Sequence, residues 1–330
     1  MKVCVVGLGS MGKRRIRLLQ SIHRETDIYG IDLSEERCRD AERKFGIKTS
    51  ADLSSVLEQY HISCAFICTA PLSHAGIITL CLEHHVNVFT ELNLVPDDYE
   101  KNMDLAKRSG CTLFLSSTMM YRAETEYMKN KVRSRCEPYT YTYHIGQYLP
   151  DWHPWESFHD FFISDKRTNG CRELFAVELP WIVDVFGPIR NVKAVKGRTS
   201  ALNISYADTY LVLIEHEQGH RGALCIDVVC RKAVRNLEIY SENTYIHWNG
   251  TPDGLFQYDI EGKTDRQISL YDSVDKLEGY SSTIIEDAYL REIINFFSVV
   301  EGKETPRYSF QKDLKILEII DQIEGEFSDE

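Results

Sequence analysis

MKVCVVGLGSMGKRRIRLLQSI, residues 1–22, is the stretch on which the fold turns. Lys2 to Val6 reads as a short buried strand; the glycines end it, and Met11, Ile16, Leu18 and Leu19 follow at roughly helical spacing. Gly7, Gly9 and Gly12 therefore complete GxGxxG between a strand and a helix. In that setting one glycine turns the chain sharply, the second lets backbone reach a pyrophosphate, and the third lets helix and strand pack closely. The phosphate then rests on the free N–H groups at the helix start, where Ser10 and Met11 lie. Taken alone, the motif also describes a glycine-rich turn. TDIYGIDLSEERC adds a second strand ending in Asp32, about 20 residues after the last glycine, where a carboxylate accepts ribose hydroxyls and repels a 2′-phosphate. The expected cofactor is NAD, with Arg37 as the nearby residue that would suit NADP.

Working outward, helices are expected around Glu35–Phe45, Leu53–Gln59 and His74–His84, with strands at 63–68, 87–90 and within 111–118. Strand-helix units of this length imply parallel strands with right-handed crossovers, and ligands lie at the carboxyl ends of such strands. From about Tyr139 the pattern changes to period two, in YTYTYHIG, VKAVKG, TYLVLIEHE, GALCIDVV, NLEIYS and TYIHWN. The fold expected is α/β: a doubly wound parallel Rossmann sheet over 1–120, then an α/β domain over 121–330 with a large, mostly antiparallel, open-faced sheet. A last helix, about 309–325, is placed so that it can return to the first domain. An open face with apolar side chains seeks a second copy, so a homodimer or homotetramer through this sheet is expected.

At 330 residues the chain is long enough for two cores, and 43% hydrophobic residues mark it as globular. A formal charge of −12 lacks the basic footprint that nucleic acid requires. The ten cysteines form no CxxC pair, and several stand in apolar segments where a thiol is a small buried hydrophobe, so neither a metal nor a disulfide framework is expected. No basic leader and no membrane-length apolar run is present, which points to a reducing cytoplasm.

VVGLGSMG, Asp32, the TAPLSH turn with Thr69, Pro71 and His74, and Glu91 at the end of the following strand resemble, in order and spacing, the glucose-fructose oxidoreductase / inositol dehydrogenase (Gfo/Idh/MocA) family. The resemblance implies an NAD-dependent oxidoreductase and a cofactor set of Gly7, Gly9, Ser10, Met11, Gly12, Asp32, Thr69, Pro71, His74 and Glu91. Most members carry Glu-Lys-Pro at this strand end, the lysine exchanging a proton with the substrate oxygen. Here the aligned residues are Glu91-Leu92-Asn93, and leucine has no ionisable proton. The family's Asp-x-x-x-His pair aligns with Glu173 and Val177, so the imidazole is missing as well.

Proton transfer needs a titratable group within hydrogen-bond reach, and the stretch from His144 to Glu173 is rich in them. Lys166 is the first candidate replacement, His153 the second and Glu173 the third. The mixture of aromatic and charged groups suits a sugar, with rings stacking on C–H faces and polar groups engaging hydroxyls; a solvated surface is the plain alternative. Expected substrate contacts are Tyr121, Arg122, Trp152, Asp165, Arg167, Asn169 and Arg172. Two functions follow. One is an oxidoreductase for a sugar, sugar acid or nucleotide-linked sugar; the other is an NAD-binding protein without net redox activity, either a sensor or an enzyme using NAD transiently.

Overall fold

A computed structural model describes residues 1–22, 26–134, 137–152, 157–272 and 285–325. The chain forms two compact units, Met1–Ser117 with Tyr289–Leu314, and Thr118–Ala288 with the residues from Lys315 onward.

The first unit alternates β1 (Lys2–Val6), α1 (Ser10–Ile22), β2 (Asp27–Ile31), α2 (Glu35–Phe45), β3 (Lys48–Ser50), α3 (Leu53–Gln59), β4 (Cys64–Ile67), α4 (Pro71–Glu83), β5 (Asn87–Thr90), α5 (Tyr99–Ser109) and β6 (Leu113–Leu115). The strands form one sheet in the order β3-β2-β1-β4-β5-β6, and every pairing is parallel. Val3–Val6 and Cys64–Ile67 are all buried, which is why these strands read as unbroken apolar runs: helices cover both faces. Asp52 caps α3 by accepting from the Ser54 and Ser55 N–H groups, and Gly46 ends α2 in the left-handed conformation with φ 66°.

The second unit holds α6 (Ala123–Arg133), β7 (Thr140–Gly146), α7 (Gly170–Phe186), β8 (Ile189–Gly197), β9 (Thr209–His216), β10 (Arg221–Asp227), β11 (Val234–Ser241), β12 (Thr244–Trp248), β13 (Leu255–Asp259) and β14 (Thr264–Gln267). Its sheet runs β14-β13-β12-β11-β7-β10-β9-β8. Helix α7 lies on the inner face, with Phe186 stacked on Tyr141 at 4.3 Å, Trp181 edge-on to Tyr143 at 5.6 Å and Phe175 edge-on to Tyr210 at 5.4 Å. The other face leaves Val195, Leu211 and Leu213 71%, 54% and 61% exposed, with Val195 directly opposite Leu211 across the strands.

The period-two segments are the strands expected, but β7 pairs with β10 in parallel, the one exception in an otherwise antiparallel sheet. The expected boundary at 120 puts the later residues in the second unit, with the last helix alone placed to return to the first. Instead α8 (Glu286–Val300) belongs mainly to the first, because Phe296 packs edge-on against Phe66, Phe89 and Phe114 at 5.3–5.6 Å. The last helix, α9 (Phe310–Glu324), divides, its start with the first unit and its remainder with the second.

Candidate active site

The glycine turn is shaped by backbone crowding on two sides and openness on the third. Gly7 has φ 92°, and a Cβ there would meet the Cys68 carbonyl at 2.7 Å; at Gly12 a Cβ would lie 1.8 Å from the Gly7 carbonyl oxygen. Neither position tolerates a side chain. A Cβ at Gly9, by contrast, meets nothing within 4 Å, so that side of the turn is clear for a ligand. Ser10 is exposed and Met11 half-buried at the start of α1. Asp32 directly follows β2, its carboxylate accepting from the Leu8 N–H at 2.8 Å and the Ser34 N–H at 2.9 Å. This fixes an anion beside the turn, while the exposed Arg37 guanidinium stands 3.8 Å from it. These residues fit a dinucleotide: Gly7, Gly9, Ser10, Met11 and Gly12 would hold its phosphates, and Asp32 a ribose.

At the ends of β4 and β5, the side chains lock the backbone to itself. His74 is 2% exposed, its Nδ1 2.6 Å from the Asn93 amide oxygen and its Nε2 2.9 Å from the Thr69 carbonyl. Burial pulls its pKa down, against the opposing effect of those two oxygens. Asn93, where the resembling family carries proline, thus ties β5 to the turn that begins α4. Pro71 occupies the first turn of α4, whose missing N–H costs nothing there, and Thr69 accepts from the Ser73 hydroxyl at 2.7 Å. Glu91 accepts from buried Arg15 at 2.5 and 3.1 Å, and Arg15 also reaches Glu292 of α8 at 2.8 Å. Two carboxylates around one guanidinium hold α1, β5 and α8 together. Leu92 is half-buried.

In the second unit, several residues expected to contact substrate have partners within the protein. Asn169 caps α7 by accepting from the Arg172 N–H at 2.8 Å and donates to Glu324 at 2.7 Å. Arg172 pairs with Glu324 and, at 2.8 Å, with Asp321. Buried Arg122 pairs with Glu124 at 2.6 Å beneath the Trp248 ring, and Tyr121 is 2% exposed. Asp165 caps a short turn by accepting from the Arg167 N–H at 2.8 Å. Lys166 and Arg167 are exposed on that turn, Lys166–Thr168. Trp152 donates its indole N–H to the Gln147 carbonyl at 3.1 Å and lies beside Gly170, where a Cβ would come within 3.6 Å of its ring. His153 falls outside the described residues.

Glu173 stands apart. Over the first ten residues of α7, only Glu173 and Val177, one turn apart, are half-buried rather than buried. Part of Glu173 is accessible, yet its Oε2 is sealed from water and has no hydrogen-bond partner. Burial raises its pKa from 4.5 to about 7, so both protonation states are accessible near neutrality. The Tyr206 phenol, 2% exposed, is buried nearby, with the Gly170 N–H directed at it. Burial pushes its pKa up; the Gly170 N–H opposes this, and Cys171 and Glu173 add to it. Sequence reasoning missed Tyr206, since ISYADTY has no pattern that separates it from the strand it precedes.

Residues 1–117 match the family model described as "Oxidoreductase family, NAD-binding Rossmann fold", GFO_IDH_MocA. The match covers the first domain, about a third of the chain, which is similar to the NAD-binding domain of the Gfo/Idh/MocA family. A myo-inositol 2-dehydrogenase of Thermotoga maritima is 24% identical over 138 residues, 41% of each chain. A 4-carboxy-2-hydroxymuconate-6-semialdehyde dehydrogenase of a Sphingobium species is 24% identical over 135 residues, 40% of this chain and 43% of its own. The matched region thus spans about two fifths of these curated relatives. Among solved structures, the WlbA dehydrogenase of Bordetella pertussis, in complex with NADH and UDP-GlcNAcA, superposes with a TM-score of 0.75 at 14% identity, over 98% of this chain and 95% of that one. At such identity the likeness is one of fold, and it extends through both units. No helix among the described residues is long and apolar enough to cross a membrane.

Proposed function

We propose that the protein is an NAD-dependent oxidoreductase for a hydroxyl of a sugar, sugar acid or nucleotide-linked sugar, in which Glu173 exchanges the proton that the family's lysine exchanges elsewhere. The carrying observation is the Glu173 carboxyl on the first turn of α7, with one oxygen buried and unpartnered and a pKa of about 7. NAD, when bound, accepts or returns the hydride. The chain's own residues do the rest. Above neutrality the Glu173 carboxylate takes the proton of a substrate hydroxyl as the carbonyl forms, and in reduction the carboxylic acid returns it. Leu92 exposes no competing base. Lys166, exposed on the preceding turn, serves substrate binding or charge rather than proton transfer, and Trp152 offers an aromatic surface for a sugar ring.

Asp32 supports NAD over NADP, since a fixed carboxylate opposes a 2′-phosphate. The myo-inositol and UDP-GlcNAcA named for the two relatives support a carbohydrate substrate. The exposed Val195, Leu211 and Leu213 support a homo-oligomer through the outer sheet face. Leu92 also supports a second reading, in which the domain binds NAD without net redox turnover. The deciding measurement is single-turnover NADH formation with a panel including myo-inositol and UDP-linked sugars, for the wild type and Glu173→Gln. Turnover abolished in Glu173→Gln supports the first reading; tight NAD binding with no hydride transfer to any member of the panel supports the second.

A further inference from the structure

The outer end of the β7/β10 pair gathers three different metal-ligating side chains. Among the described residues, His144, Asp227 and Cys230 form the one such group, each offering a ligand atom within 4.8 Å of the others. His144 stands in the outward-facing register of β7, 37% exposed at the side chain, with Nε2 2.7 Å from Asp227 Oδ2. The other Asp227 oxygen is fixed by the Val229 and Cys230 N–H groups at 3.0 and 2.7 Å. The same turn that orients the carboxylate therefore brings Cys230 to it. Gly146 leaves room for this: a Cβ there would come within 2.5 Å of the Asp227 carboxylate.

We propose that His144, Asp227 and Cys230 bind a zinc ion in a three-ligand site whose fourth position opens to solvent. An imidazole, a carboxylate and a thiolate suit zinc and its borderline neighbours rather than magnesium or calcium, which take oxygen. Two anionic ligands balance a divalent charge. The ion takes the place of the hydrogen bond between His144 and Asp227, with the imidazole N–H moving to Nδ1, and of the proton of the Cys230 thiol, which donates to the Lys232 carbonyl at 3.1 Å; binding therefore releases the thiol proton to solvent. The backbone N–H pair on Asp227 supplies the outer support that such ligands need. This inference is independent of the redox reading. Ligands 83 residues apart on two strands, with the third only three further on, leave no spacing motif in the sequence.

The test is titration of metal-free protein with Zn²⁺ against a chromogenic chelator, together with Co²⁺ spectra, for the wild type, His144→Ala and Cys230→Ser. One zinc per chain is expected, with a cobalt–thiolate charge-transfer band and protection of Cys230 from alkylation on peptide mapping. Each variant should weaken binding by more than the roughly 10- to 100-fold that outer-shell groups contribute. Zinc uptake that is equal in all three proteins would be adventitious. That outcome, no uptake at all, or a cobalt complex without a thiolate band would overturn the proposal.

Discussion

Replacing Glu173 by Gln keeps the shape of the side chain and removes its titration, so the variant isolates what burial of this carboxyl does. The folded-state pKa is raised from 4.5 to about 7. The folded protein therefore holds the proton more tightly than the unfolded chain, and the associated stability is fully present below about pH 4.5 and lost as pH rises through 7. At about 1.36 kcal/mol per pH unit the ceiling is ~3.4 kcal/mol. Part of Glu173 reaches solvent, which screens the charge, and about 1–2 kcal/mol is the working figure. Chemical denaturation of both proteins at pH 5 and pH 8 measures it. The wild type should lose about 1–2 kcal/mol more than Glu173→Gln over that interval, making the variant the more stable protein at pH 8. Parallel stability curves would mean that the carboxylate has a partner in the folded state, and the reasoning behind its role in proton transfer would fail. Kinetically, the same variant should lower turnover by roughly 10²-fold or more, and the wild-type rate of oxidation should rise with an inflection near pH 7.

Asp32→Ala should weaken NAD at least about tenfold and relax discrimination against NADP, read by titration with both; wild-type protein that binds NADP as tightly as NAD would refute the carboxylate argument. Lys166→Ala should raise KM more than it lowers kcat, and Leu92→Lys should not improve turnover if Glu173 exchanges the proton. A kcat for Lys166→Ala that falls as far as that of Glu173→Gln would return the proton-transfer role to the lysine. Leu213→Asp, placing a charge within the exposed apolar patch, should shift an oligomer to smaller species in analytical ultracentrifugation; a wild-type protein that sediments as a monomer would end that reading.

The nucleotide domain is legible because its signals are local. A buried strand, three glycines and an acid at the next strand end each act within about 30 residues, as a βαβ unit requires. Period two likewise announces most strands of the second sheet. The parallel pairing of β7 with β10 is not legible, because register between segments some 80 residues apart leaves no local trace. Asn169 and Arg172 illustrate the same limit at the site. Their composition suits a sugar, but Glu324, about 150 positions later, engages both. Glu173 could be found by alignment, whereas the sealing of its Oε2 depends on tertiary packing that no short window contains.

The joining of Tyr289–Leu314 to the first unit bears on how this chain is made. A ribosome delivers β1 to β6 early, yet Phe296, which packs on the rings of β4, β5 and β6, and Glu292, which meets Arg15, emerge only after the whole of the second sheet. At roughly 5–20 residues per second the nascent domain waits on the order of ten seconds or more with Phe66, Phe89 and Phe114 lacking that cover. Vectorial synthesis therefore completes neither unit early: the second still awaits the residues from Lys315 onward, Glu324 among them, when the first receives Tyr289–Leu314.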